Sequence, residues 1–395
     1  MGQAQASLKG STRLGTYLRK LRSGYGYSLR RVEECARAEG GEIDNSQLSR
    51  YEKGICYPSF DKLRILASVF NVSIQSFSDV VDLEGFEELK PAGTDALSLI
   101  EEGIDLLRAG NNGHAFAIFE RSLELLNDAP MDAARQEMMA RARINQATAL
   151  RRLGKLSLAE QELRQALRTT EWLTPTLQAR AMLALANIHG DLGDVFLSEL
   201  EAQRAYEVAR DGSLDQLAGM ALHTLARVLH DQGQFSNAIE KYREAARYYA
   251  VSGEYFEAIR ARISTGACYA SMGKSREGIR LLRASLGEAR GGGHRRLEAY
   301  AWSEIGQAYY RQKDLRRARS CLRESDALAI REDEKQFDIL FGNSYYEWKM
   351  AIDSENPTRE KIAFGRMKAL RSHVERRLAE VEAFDLYVER GRKHV

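Results

Sequence analysis

Proline is scarce, with five in 395 residues. That favours helices, whose interiors exclude it. The four cysteines (Cys35, Cys56, Cys268 and Cys321) are scattered and form no CxxC pair. This excludes a disulfide framework and a cysteine-based zinc site, and suggests a reducing, cytoplasmic compartment. No run approaches the roughly 20 apolar residues that span a bilayer. The first residues lack a charged-then-apolar export pattern, and Ala6 stands where an acylated Gly2 would want Ser or Thr. Neither export nor lipidation is expected.

Catalytic constellations are missing as well. Gly291-Gly292-Gly293 is not followed by Lys-Ser/Thr, so it is no phosphate loop; it suits a flexible connection. His223 and His230 share a helical face, but seven residues separate them, too far to chelate without a third ligand. Trp172, Trp302 and Trp348 sit at helical spacing and suit a core. Cys56 has no neighbour that would activate a thiolate. No nucleophile–base or acid–base pair is recognisable. The expectation is a non-enzyme with no metal and no cofactor.

What the chain does have is 44% hydrophobic and 29% charged residues, enough for a globular core. Its length predicts two or three domains. Net charge is only +2, but the charge is uneven. Lys9, Arg13, Arg19, Lys20, Arg22, Arg30, Arg31 and Arg37 face only Glu33 and Glu34 over the same stretch. A basic head on a near-neutral body is an electrostatic footprint for phosphate binding.

From about Ala96 a helix–turn–helix unit of about forty residues recurs. Its turn falls at Gly110, Gly154, Gly193, Gly233, Gly273 and Lys313. Seven residues earlier stand Gly103, Ala147, Ala186, Ala226, Gly266 and Gly306, all small. Nine residues after the turn stand Phe119, Leu163, Ala202, Tyr242, Leu282 and Leu322. Small residues let two helices approach, and a larger one fills the gap beside them. Pro91 precedes the array, Pro130 and Pro175 lie between pairs, and Pro357 falls in a late loop. This register resembles tetratricopeptide (TPR) repeats in a longer form. The resemblance implies an all-α chain with a right-handed TPR-like α-solenoid, six pairs over 96–335. Residues 336–395 suit a degenerate pair and a capping or dimer helix.

Residues 11–84 break into five short helical segments, after a tail at 1–10 and before a linker at 85–95. Ser28 is placed to cap the second, with Arg31 where a capping box would have Glu. The third begins at Asn45, with its own first side chains as caps, and stops at Gly54. The string Gln47-Leu48-Ser49-Arg50-Tyr51-Glu52-Lys53-Gly54, then Tyr57-Pro58-Ser59, resembles the lambda-repressor-like (XRE) helix-turn-helix family. Two departures are Leu29, where many members have Gln, and a long link from Ala38 to Asp44. The resemblance implies a third helix in the major groove of a double-stranded DNA operator. Asn45, Ser46, Gln47 and Arg50 are then the base readers, since Arg can bridge guanine O6 and N7, and Asn or Gln adenine N6 and N7. Arg22, Ser28, Lys53, Tyr57 and Lys62 are the phosphate contacts.

An XRE head joined to TPR-like pairs resembles the peptide-responsive regulators of the RRNPP group, associated with quorum sensing. That implies a homodimer and a short peptide or protein effector bound along the first helices of the pairs. The register offers Arg141, Arg152, Arg180, Asn187, His223, Arg227, Arg260, Gln307 and Arg311 as the effector groove, with Thr148, Asp191, His230 and Tyr310 on the same face. Asn suits a peptide backbone, and Arg a carboxylate. The alternative is a TPR interaction scaffold or adaptor whose head only tethers it to DNA.

Overall fold

The computed structural model describes residues 10–127, 132–168, 173–330, 335–374 and 378–392. Lys9, Pro130, Trp172 and most of the expected N-terminal tail lie outside the described residues. Within them the secondary structure is helical apart from one isolated bridge, Ile330 to Lys335. They divide into two compact units, one running to residue 172 and one from Leu173 onward.

The first unit opens with α1 (Thr12–Gly24), α2 (Leu29–Ala38), α3 (Asn45–Glu52), α4 (Phe60–Val69) and α5 (Ile74–Asp82). Four starts are fixed by side-chain caps. Ser11, Ser28, Asp44 and Ser73 accept the backbone N–H of Leu14, Arg31, Gln47 and Ser76. The cap of α3 is therefore Asp44, one residue before the Asn45 start expected of it. A carboxylate there also suits the positive end of the helix dipole. Leu14, Leu18, Val32, Leu48, Leu66, Phe70 and Phe77 form one buried cluster among these helices.

A 3-10 segment (Leu83–Leu89) leads to two helix pairs, α6 (Ala96–Arg108) with α7 (Asn112–Asn127), and α8 (Ala133–Arg152) with α9 (Leu156–Ala166). The head is fastened to the second helix of each pair. Phe86 lies over Gly113, where a Cβ would stand 2.3 Å from its ring. Arg13 pairs with Glu87 and Glu120, and Lys90 with Glu120 and Glu124. On α9, Gln161 donates to the Tyr17 hydroxyl at 2.9 Å and Glu162 pairs with Lys20 at 3.2 Å, while Lys155, just before α9, reaches Asp79 and Asp82.

The second unit stacks α10 (Pro175–Leu192), α11 (Val195–Asp211), α12 (Asp215–Asp231), α13 (Phe235–Val251), α14 (Tyr255–Ser271), α15 (Ser275–Gly291), α16 (Arg295–Arg311), α17 (Leu315–Ala329), α18 (Phe337–Asp353), α19 (Pro357–Leu370) and α20 (Ala379–Arg392). All six turn residues adopt positive φ, from 61° at Lys313 to 82° at Gly273. Glycine does this without a Cβ penalty. In three of the pairs the small residue seven before the turn meets the large one nine after it. A Cβ on Gly103, Gly266 or Gly306 would lie 2.6, 2.8 or 2.7 Å from Phe119, Leu282 or Leu322.

The connections between pairs are equally tight. Ser213, Gly253 and Gly293, forty residues apart, are left-handed as well. Gly291 closes α15, Gly292 caps it and Gly293 takes the left-handed φ, so the triple glycine forms the connection between two pairs. Pro357 opens α19 instead of lying in a loop, its missing N–H costing nothing at that position. Trp348 is buried and Trp302 half-buried against neighbouring clusters.

Candidate nucleic-acid interface and effector groove

The N-terminal end of α3 is an exposed edge of the head. Leu48, Tyr51 and Glu52 face inward, which leaves Asn45, Ser46 and Arg50 exposed. Asp44 accepts from Ser46 Oγ at 2.6 Å and from Gln47 N–H at 2.7 Å. Those two bonds hold its carboxyl below the usual range. Gln47 is half-buried, and its Oε1 accepts from Lys62 Nζ at 2.6 Å, so one side chain expected on a base and one expected on a phosphate hold each other. The Gln47 amide nitrogen remains available to donate. Lys53 is the exposed C-cap of α3, and Tyr57 is half-buried against the head core. Ser28 is exposed and caps α2.

Arg22 is placed differently from the other expected phosphate contacts. Its Nε and Nη2 donate to Glu52 at 2.6 and 2.9 Å, and Nη1 to the Tyr27 carbonyl at 2.9 Å. Glu52 is buried, so Arg22 neutralises a charge inside the fold. Arg13 and Lys20, which swell the basic count of the head, are likewise paired with the repeats. The exposed basic surface is narrower than the sequence suggests. Ile55 and Phe60, exposed in and just after the loop following α3, were not singled out from sequence, because nothing local marks an apolar side chain as outward-facing.

The expected groove residues fall in both units. Arg141 and Arg152 belong to the first, where Arg141 pairs with Glu101 and Arg152 donates to the Leu107 carbonyl. Thr148 bonds back to the Ile144 carbonyl. The others belong to the second. There Asn187 on α10 donates to the Leu183 carbonyl and accepts from Arg227 on α12 at 3.3 Å. His223 lies edge-on against Tyr242, and Arg260 pairs with Glu257 at 2.6 Å. Gln307 is buried beside Ser303. Arg180 and Arg311 are exposed, and Tyr310 donates to Asp353 at 2.8 Å.

Sequence reasoning missed an acidic element of this region. Burial pushes the Glu304 carboxyl up to about 7; Arg311 and His230 oppose the rise, and Glu380 on α20 adds to it. Burial also raises Glu380, against Arg311 and His230. No repeat position marks Glu304, and no periodicity brings α20 back to α16.

Residues 18–77 match the helix-turn-helix family model. Residues 146–329 match the C-terminal domain of suppressor of spindle checkpoint defect 1. No curated protein sequence matches the chain. Among solved structures, aspartyl phosphate phosphatase F from Bacillus subtilis is similar at 14% identity, covering 96% of this chain and 97% of that one, with a TM-score of 0.56. NprR in complex with its cognate peptide NprX is similar at 15% identity over 74% and 84% of the two chains, TM-score 0.52. A tetratricopeptide repeat protein from Parabacteroides merdae is similar at 14% identity over 70% and 94%, TM-score 0.50. The chain thus carries an XRE-type helix-turn-helix domain followed by TPR-like helical repeats, a fold similar to that of NprR and the Parabacteroides repeat protein.

Proposed function

We propose that the protein is a sequence-specific DNA-binding transcription regulator whose repeats bind a peptide or protein effector. The observation that carries this is the N-terminal edge of α3, which presents Asn45, Ser46 and Arg50 outward inside a helix-turn-helix match. In this reading Arg50 and Asn45 read base edges, assisted by Gln47, while Ser28, Lys53, Tyr57 and Lys62 meet phosphates. Arg22 is left to the fold. The reading includes a homodimer, whose two heads would require two half-sites.

The effector assignment draws on NprR, which holds a peptide on a related fold. The Asn187–Arg227 pair suits it chemically, because an amide bonds peptide backbone and a guanidinium a carboxylate. One structural neighbour is a phosphatase, but the DNA-reading head favours a regulator without catalysis.

The test is operator selection from random duplexes on the purified protein, with and without peptide-containing cell extract. An enriched motif of two half-sites, altered in strength by the extract, is expected. No enrichment at moderate salt overturns the regulator in favour of a scaffold.

A further inference from the structure

The second helix of each pair turns one face outward, at three, seven, ten and fourteen residues after the turn. On α7 three of these positions, Gly113, Glu120 and Glu124, are occupied by the chain's own head through Phe86, Arg13 and Lys90. On α9, Ser157 and Gln161 meet Ser73 and Tyr17. The face is thus a contact surface in the first unit.

Three later helices carry the opposite charge on it. α13 presents Arg243 and Arg247, with Glu240 its single acid. α15 presents Arg276, Arg280 and Arg283, and α17 presents Arg316 and Arg323. Every one of these arginines is exposed, and among the described residues none forms an ion pair. The register is also geometric. Arg243 donates to the Tyr269 hydroxyl and Arg283 to that of Tyr309, the same contact forty residues apart. On α15 alone the arginines span about 10 Å, at 1.5 Å of rise per residue.

We infer that this arginine face is a second nucleic-acid site, which binds the phosphate backbone of duplex DNA without reading its sequence. Guanidinium groups match phosphate in charge and fork geometry. The rest of the face decides against a protein partner. On these three helices its other positions are Ser236, Glu240, Gly287, Ser320 and Ala327, with no aromatic or large aliphatic anchor; the exposed Phe196 and Leu200 stand at the equivalent positions of α11, outside the arginine-bearing helices. Protein interfaces depend on such anchors, whereas DNA interfaces are polar and strongly positive.

The experiment uses the full chain and its variant Arg276→Gln/Arg280→Gln/Arg316→Gln/Arg323→Gln. Among the described residues these four make no side-chain hydrogen bond, so folding should survive, and an unchanged circular dichroism melt checks it. The slope of log affinity against log salt is measured on a duplex lacking the operator. Each phosphate contact contributes about 0.9 to that slope. The variant should therefore lose up to about 3–4 from it, while base preference on a selected operator stays as in the parent. An unchanged slope overturns the site. So does an equal loss of binding to polyglutamate, which would assign the face to an acidic protein. Failure to select any operator would sink the regulator reading without touching this slope comparison.

Discussion

Lys155 in the turn between α8 and α9 holds Asp79 of α5 at 3.1 Å, across 76 residues of sequence. Asp79 is buried, with Gln75 as its other partner at 3.0 Å. Lys155→Met leaves that carboxylate without its cation, and breaking such a pair costs about 3 kcal/mol. Urea unfolding should show this loss. Adding Asp79→Asn should recover much of it, because the uncompensated charge is then gone.

Arg50 of α3 and the C-cap residue Lys53 should separate reading from holding. Arg50→Ala should cost about 1–3 kcal/mol on the preferred operator and relax the preference at one base pair. Lys53→Gln should weaken all duplexes alike and lower the salt slope by about 0.9. Binding titrations on the selected operator and its single-base variants check both. An unaltered preference in the Arg50 variant would remove α3 from the groove.

Arg22→Gln should behave as a fold mutation. The buried Glu52 loses both short bonds, and the loss is about 3 kcal/mol of stability. Thermal melting should register it, while the salt slope of DNA binding on the remaining folded protein stays at the parent value.

Gly266→Ala tests the packing of the pairs. The new methyl would sit 2.8 Å from Leu282, an overpacking that costs about 1–3 kcal/mol. Leu282→Ala alone also destabilises, by leaving a cavity. The double variant should lose less than the sum, and a denaturant series on all four proteins measures that coupling.

This repeat logic was legible in the sequence because it depends on side-chain size at fixed spacing. Gly103, Gly266 and Gly306 face Phe119, Leu282 and Leu322 as the spacing implies. The head was legible to the level of its helices and its exposed α3 edge. Contacts between distant segments were not. Arg22 reads as a basic surface residue until Glu52, thirty residues on, is seen beside it. The docking of α1 on α9 left no trace either, since Tyr17 and Gln161 are ordinary surface types in their own helices.

Glu304 gives a pH signature. Its carboxyl titrates near 7 in the folded chain against an ordinary 4.5, so between those values the native state binds a proton that the unfolded state does not. Stability from this group is full below the lower value and is lost as pH rises through the upper one. Glu304→Gln should therefore raise stability near pH 8 by on the order of 1–2 kcal/mol, after allowance for partial solvent screening. Near pH 4.5 variant and parent should melt together. Melting curves across that range check the sign.

The left-handed turns recur at both ends of the central pairs, at Gly233 and Gly273 on one side and Ser213, Gly253 and Gly293 on the other. Each small-to-large contact, such as Gly266 on Leu282, closes within its own pair. A pair is therefore an interchangeable module. Deleting or duplicating forty residues cut at equivalent turns would reunite matching surfaces on both sides. A lineage could lengthen or shorten the repeat array in whole steps while leaving the helix-turn-helix head unaltered.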